Sequence, residues 1–388
     1  MEHIFKKTLL VSALTLAIAP AAYATNGLAP TGLGQVHKAM GGAAVGNPEN
    51  TMSMATNPAA ASFIEDGFDV GLELFVPVRE TTTGGLFPAK RYTGNGTAAF
   101  PIPENGFKKT LSNGLSVGLT AYGNGGMNTD YGISPYENFP ASPTNPPGTA
   151  TGVGIDFKQV FISPTISKKI GDNHSVALAV NLVGQTFKSR GVIAPNTVGT
   201  DTATGIGATL GWMGKISPNV TVGLSHRFKT KMSKFKNHGN MFSTTDGKLD
   251  VPGATTLGIS FKVSPKTKVA IDLQRIYYGE VKAIKDGFGW DDQDIIKMGV
   301  KHQLNNKVAL MGGLNYGKSP VTPDNVGHAI LAPAVSEMHL SLGADVKLNK
   351  HSSVTLSYVH AFENDVTNGN ITTRMSQDAV GIGYSRTF

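Results

Sequence analysis

The chain has 388 residues, 47 of them glycine and 21 proline, a net charge of +7, and no cysteine. It therefore has no disulfide staples and must be held by its own core, by association or by a membrane. Beyond the N-terminal region no apolar stretch approaches the about 20 residues that a spanning helix requires, which excludes a helical membrane protein. The 40% hydrophobic content suits both a membrane β-barrel with half-apolar strands and a soluble all-β protein, so composition leaves those two classes open.

Taken in chain order, Lys6 and Lys7 precede the apolar run Leu9 to Ala19, and Ala22-Tyr23-Ala24 is a small-x-small cleavage site. Residues 1–24 are predicted to be a signal peptide, with the mature chain starting at Thr25. Residues 25–66 follow, rich in Ala, Gly, Met and Asn, with short helical stretches expected around Gln35 to Ala44 and Pro48 to Ala55. Leu33, Val36, Met40, Val45, Met52 and Met54 make this segment too apolar for a disordered tail and predict a small folded plug, or hatch.

From residue 67 to 388 the pattern changes to period two. Strands are expected at 68–78, 97–104, 114–123, 156–167, 174–187, 203–215, 219–230, 254–263, 267–279, 294–303, 307–316, 338–348, 352–362 and 379–388. In the fifth, Val176, Leu178, Val180 and Leu182 share one face while Ala177, Ala179, Asn181 and Gln185 share the other. Val354, Leu356 and Tyr358 separate in the same way from Thr355 and Ser357.

The gaps between strands alternate. Lys168 to Asn173, Ile216 to Pro218, Ser264 to Lys266, Leu304 to Asn306 and Asn349 to His351 are short turns. The gaps 79–96, 124–155, 188–202, 231–253, 280–293, 317–337 and 363–378 are long. Loops sorted by length onto two sides describe an outer-membrane barrel, and a β-sandwich has no reason to sort them so. The last strand, Ala379 to Phe388, ends on an aromatic residue that suits an interfacial girdle. The expected fold is all-β: a 14-stranded antiparallel transmembrane β-barrel whose lumen, too wide for its own side chains, is plugged by the partly helical hatch.

Asn57-Pro58-Ala59 at the end of the hatch, the fourteen strands, the stretch Asn315 to Asn325 (NYGKSPVTPDN) and the terminal Phe388 together resemble the FadL family of outer-membrane transporters for long-chain fatty acids and other hydrophobic compounds. Leu331-Ala332-Pro333 stands where that family has Leu-Pro-Asp, and Arg386 precedes the end. The resemblance implies a Gram-negative outer membrane, passive uptake, capture by outer loops, a site in the barrel and lateral exit through the wall. It places a wall kink in the third strand, where Gly123, Gly125 and Gly126 are the candidates, although the same glycines equally serve to open a long loop. It also places a cation for a carboxylate in the loop before the tenth strand, where Lys282 and Lys285 stand, with Phe288 and Trp290 as apolar lining. A solvated loop with an interfacial aromatic is the alternative there. Asn57, Pro58 and Ala59 are the hatch residues implied in gating, while His37 and Lys38 read as structural.

The expected partners are a hydrophobic ligand, outer-membrane lipid and, through Phe388, the barrel assembly machinery; no cofactor, metal or nucleic acid is expected. Gly114-Leu115-Ser116-Val117-Gly118 matches G-x-S-x-G, but a nucleophile elbow needs a strand-to-helix turn and this stretch is expected inside a strand. Gly205-Ile206-Gly207 likewise has no following helix, so dinucleotide binding is unsupported. A nonspecific porin, constricted by the 124–155 loop, or an adhesin is the competing class; the plug favours the transporter.

Overall fold

The computed structural model describes residues 26–139, 152–192, 197–239 and 241–388; the expected signal peptide lies outside them. Fourteen antiparallel strands form a closed barrel. They are β1 (Gly67–Thr83), β2 (Phe100–Thr110), β3 (Ser116–Tyr131), β4 (Val153–Ile170), β5 (His174–Arg190), β6 (Thr197–Ser217), β7 (Val220–Arg227), β8 (Ala254–Ser264), β9 (Thr267–Ile276), β10 (Gln293–Gln303), β11 (Val308–Gly317), β12 (Met338–Lys347), β13 (Ser352–Asn368) and β14 (Ile371–Thr387). A short strand, Lys90–Thr93, lies on the upper part of β1 outside this ring. Every strand pairs with its sequence neighbours, and β14 closes on β1 from Gly67↔Thr387 to Thr83↔Ile371.

The alternation predicted from the sequence is the alternation of the wall. Val176, Leu178, Val180 and Leu182 are exposed on the outside, whereas Ala177, Ala179 and Asn181 are buried. Leu356 and Tyr358 face out, and Thr355 and Ser357 face in. At the lower rim Phe388 lies 6.1 Å from Phe68 and 6.4 Å from Phe107, ring centre to ring centre, and its N–H donates to the Asp66 carbonyl at 3.0 Å. The chain end is thus sewn to the start of β1 by an aromatic cluster of the kind that girdles a membrane barrel.

Strands extend into three of the expected long loops. β3 and β4 continue the 124–155 segment to Tyr131 and from Val153, β5 and β6 take up most of 188–202, and β13 and β14 meet in a two-residue turn at Gly369-Asn370. Above the apolar belt a strand keeps its backbone ladder but needs no apolar outer face, so the alternation fades while the strand does not.

Residues 26–66 fill the lumen. Their helices are shorter than the sequence suggests: α1 (Gln35–Lys38), α2 (Ser53–Thr56) and a 3-10 turn at Pro58–Ser62. Gly41 and Gly42 hold φ of 66° and 85° and stop the first helix. The hatch backbone presses directly on the wall, and glycine is what permits it. A Cβ on Gly223 would lie 1.9 Å from the Val45 carbonyl oxygen, and one on Gly313 would lie 2.2 Å from the Gly41 nitrogen.

Polar contacts lock the hatch on two sides. The Lys38 ammonium, buried, lies 3.0 Å from Glu73 and 3.3 Å from Glu104, whose carboxylate also accepts the Gly34 N–H and Gln35 Nε2. Opposite, Glu49 pairs with Lys268 and Lys301, and the Asp272 carboxylate accepts the Ala44 and Val45 N–H groups at 2.8 and 3.0 Å. His37 bridges carbonyls within the hatch, those of Leu33 and Asn47, each at 3.1 Å, so it is a structural strut.

Candidate transport pathway

Above the hatch the lumen is apolar. Phe75, Phe100, Phe157, Phe161 and Phe187 point inward from β1, β2, β4 and β5, and all are buried. Three outer segments fold over them: 228–253 contributes Phe235 and Phe242, 277–292 contributes Tyr278 and Trp290, and 318–337 contributes Val321 and Val335. These aromatic residues form one continuous cluster rather than a water-filled channel.

The helix α3 (Lys282–Phe288) follows β9 and a turn at Tyr278. Its fold separates the four residues expected to act together. Trp290 is buried and packs edge-on against Tyr278 at 5.4 Å, with Phe288 at 5.5 Å on its other side. Lys282 and Lys285 lie on the solvent side of α3, paired with Asp286 and Asp291.

Beneath the cluster, against the hatch, is a cavity of about 60 Å³ lined by Leu33, Ala55, Asn124, Ile276, Arg227 and Lys297. Arg227, at the end of β7, donates to Asn124 Oδ1 at 3.3 Å and to the Pro252 carbonyl at 3.2 Å, and its guanidinium lies over the Phe161 ring. Lys297, in β10, is only 5% exposed. Sequence reading missed both. Lys297 is an inward position, shared with Lys301, of a strand whose outer residues, Ile296 and Met298, are apolar, and a cation on the inward face was the available signal.

The wall beside this cavity is interrupted. The ladder between β2 and β3 runs from Thr110↔Ser116 only as far as Glu104↔Tyr122. Beyond that, β2 continues paired with β1 alone, and the free edge of β3 meets no strand until the segment Gly94–Gly96 bonds it at Asp130. At the point of separation Asn124 is an extra residue, looped out between Gly123 and Gly125, which pair with Val160 and Gln159. The facing edge of β2 carries Pro101 and Pro103, residues that cannot donate to a ladder and belong at sheet edges. These prolines were the sequence signal for a gap, and the glycines alone were not.

The first described residues sit behind this gap. The Leu28 carbonyl accepts the Gly126 N–H at 3.3 Å, and the Tyr278 hydroxyl receives the Leu28 N–H at 2.8 Å while donating to the Asn26 carbonyl at 2.6 Å. At the other end of the hatch, Asn57 Oδ1 caps the Pro58–Ser62 turn through the Ala59 N–H, and its Nδ2 donates to the Val45 and Trp212 carbonyls at 2.9 and 3.0 Å. Ser175 of β5 donates to the Ala59 carbonyl, so Asn57-Pro58-Ala59 fastens the hatch to the wall near the periplasmic turns. Gly114 to Gly118 covers a turn and the first residues of β3, with no helix after it, and Gly205 to Gly207 lies within β6.

A closed barrel with an apolar outer belt, a lumen filled by its own N-terminal segment and an apolar path above it define an outer-membrane transport barrel. The chain belongs to the outer membrane protein transport protein family (OMPP1/FadL/TodX), whose model matches residues 9–386. It is therefore an outer-membrane protein, in a family of transport proteins rather than enzymes. Its fold is similar to that of the Pseudomonas putida toluene transporter TodX, at 18% identity over 92% of this chain and 99% of that one, with a TM-score of 0.68. The Ralstonia pickettii toluene transporter TbuX gives 16% identity over 92% and 99%, with a TM-score of 0.67. A Pseudomonas aeruginosa FadL homologue gives 14% identity over 93% and 100%, with a TM-score of 0.67. Comparison with curated protein sequences gives no match.

Proposed function

We propose that this protein takes up a hydrophobic compound carrying an anionic group, with a long-chain fatty acid as the type ligand, and releases it sideways into the outer membrane. The observation that carries the reading is the break between β2 and β3, which lies beside an apolar lumen instead of a water-filled one. An apolar solute gains nothing from a water-filled pore, and a lateral exit returns it to hydrocarbon. Capture occurs where half-buried Phe288 covers the buried Trp290, and Lys282 and Lys285 offer the first charge contact for an anionic headgroup. Movement toward the hatch brings the headgroup to Arg227 and Lys297, since a buried anion needs paired cations. Gly123, Gly125 and Gly126 let the wall bulge at Asn124, and the hatch, fastened at Asn57, Pro58 and Ala59, keeps the barrel from leaking.

Relatives named as toluene transporters support a hydrophobic cargo and make an uncharged aromatic hydrocarbon the second reading. Two inward cations at one cavity, buried Lys297 and half-buried Arg227, favour the anionic ligand. The test is uptake by cells lacking their own outer-membrane fatty-acid transporter, complemented with this chain, using labelled oleate and labelled toluene in parallel. Oleate uptake that falls with Arg227→Met and Lys297→Met supports the proposal. Toluene uptake alone, indifferent to both substitutions, selects the hydrocarbon. Ion conductance in planar bilayers with neither uptake would make it a porin.

A further inference from the structure

The outer wall carries a second cavity, of about 150 Å³, which the transport pathway does not use. It lies on the membrane-facing side of β3, β4 and β5, above the apolar belt. On β5 the outward column runs Val176, Leu178, Val180, Leu182, Gly184, Thr186, Lys188 and Arg190, so the cations come where the apolar residues have ended. The ladder places Asn128, Asp156 and Lys188 in one row across the three strands, and Asp130, Gly154 and Arg190 in the next. Thr97 is brought over the edge of β3 by the bridge Asn95↔Asp130, and its hydroxyl donates to Asp130 at 3.3 Å.

Arg190 pairs with Asp130 and donates to the Tyr131 carbonyl at 3.0 Å, which fixes its guanidinium at the cavity. Lys188 is exposed, and the Asp156 carboxylate beside it is held by Lys158 at 2.8 Å. Exposed Lys229, Lys231, Lys234 and Lys236 follow β7, and the Lys231 segment lies along β6 through the bridge Gly205↔Met232. Around α3 the rim is mixed: Asp286, Asp291 and Asp294 are exposed and pair with Lys282, Lys285 and Arg275. Lys188 and Arg190 thus lie on the lipid-facing side, directly above the last apolar residues of β5.

We propose that this cavity is a docking site for the phosphorylated sugar headgroup of an outer-leaflet glycolipid. Lys188 and Arg190 would take a phosphate, to which the guanidinium fork is matched, and Thr97, Asn128 and Asp130 would take sugar hydroxyls. A soluble phosphate is not the fit, because the cavity opens sideways directly above the lipid-facing residues of β4 and β5.

The experiment uses the full protein in lipid nanodiscs with added bis-phosphorylated lipid A, and native mass spectrometry counts the lipid retained. Retention by the wild type, at least about tenfold weaker in Lys188→Gln/Arg190→Gln, is the result expected from losing two charge-assisted contacts. Lys168→Gln/Lys169→Gln, at the periplasmic end of β4, leaves retention unchanged. Heat-modifiable mobility in SDS establishes that each variant is folded, and Lys188→Gln alone preserves the Arg190–Asp130 pair should the double variant not assemble. Equal retention by wild type and the folded variants, or equal retention of dephosphorylated lipid A, overturns the proposal. Displacement by inorganic phosphate with no preference for lipid A would assign the cavity to a soluble anion and also overturn it. None of these outcomes depends on which compound the lumen carries.

Discussion

Tyr278 and Leu28, 250 residues apart, are joined by a 2.8 Å hydrogen bond from the Leu28 N–H to the phenol oxygen. The same hydroxyl lies 3.3 Å from the Ala29 N–H and donates to the Asn26 carbonyl, and Trp290 packs on its ring. The start of the hatch is thus tied on one side to the aromatic roof and on the other, through Gly126, to the bulged strand. Tyr278→Phe removes the hydroxyl and leaves the buried Leu28 N–H without this partner, a cost of about 1–3 kcal/mol. Amide exchange at Leu28 and Ala29 should quicken while the strand ladders stay protected. Unchanged exchange there would mean that the tyrosine does not hold the segment.

Deleting Asn124 tests the wall opening. Because Gly123 pairs with Val160 and Gly125 with Gln159, removing the one looped-out residue leaves a regular ladder with the inward and outward faces of β3 intact. A folded barrel of undiminished thermal stability is expected, with uptake of the labelled ligand lost. Full uptake by the deletion variant would send the exit elsewhere.

Lys38 is buried between Glu73 and Glu104. Lys38→Met strands two carboxylates without their cation, and breaking a buried pair in this way costs about 3–5 kcal/mol. The loss should appear as a hatch that trypsin cuts in an otherwise heat-modifiable barrel. Lys38→Met combined with Glu73→Gln and Glu104→Gln should recover most of the protection, which a purely steric role for Lys38 would not allow.

Acid should loosen the opposite side of the hatch. Burial by itself raises the Glu49 carboxyl, but the Lys301 and Lys268 ammonium groups outweigh it and hold the group well below its ordinary 4.5. A carboxylate depressed in the folded state adds stability that is present in full above its unfolded value and is lost as the pH falls through and below about 4.5. His37, which burial pushes below its ordinary 6.5 despite the nearby Glu49, acts in the same sense, subtracting stability as the pH falls below 6.5. The protection of hatch amides near Glu49, relative to their intrinsic exchange at each pH, should therefore fall in two stages, one below about 6.5 and one below about 4.5. Glu49→Gln should abolish the lower stage and His37→Gln the upper one.

The sequence by itself determined the barrel. Period-two alternation, Gly-, Pro- and Asn-rich short turns and an apolar N-terminal segment are local features, and a membrane enforces them strand by strand because an outward polar residue or an unpaired backbone group is costly in hydrocarbon. Fourteen strands, their inward and outward faces and the plug were legible for that reason. Strand ends above the membrane were not, since no solvent contrast marks them there.

The site was decided by tertiary structure. Lys282, Lys285, Phe288 and Trp290 are sequence neighbours, yet a helical turn sends the lysines to solvent and the indole to the interior. Arg227 and Lys297 are 70 residues apart on strands separated in the wall by β8 and β9, and only the curved wall brings both to one cavity. A gap in the wall is a missing pairing, and pairing belongs to two strands at once: Pro101 and Pro103 on one side, Gly123 and Gly125 on the other, acquire that meaning only when the ladder between β2 and β3 is seen to stop.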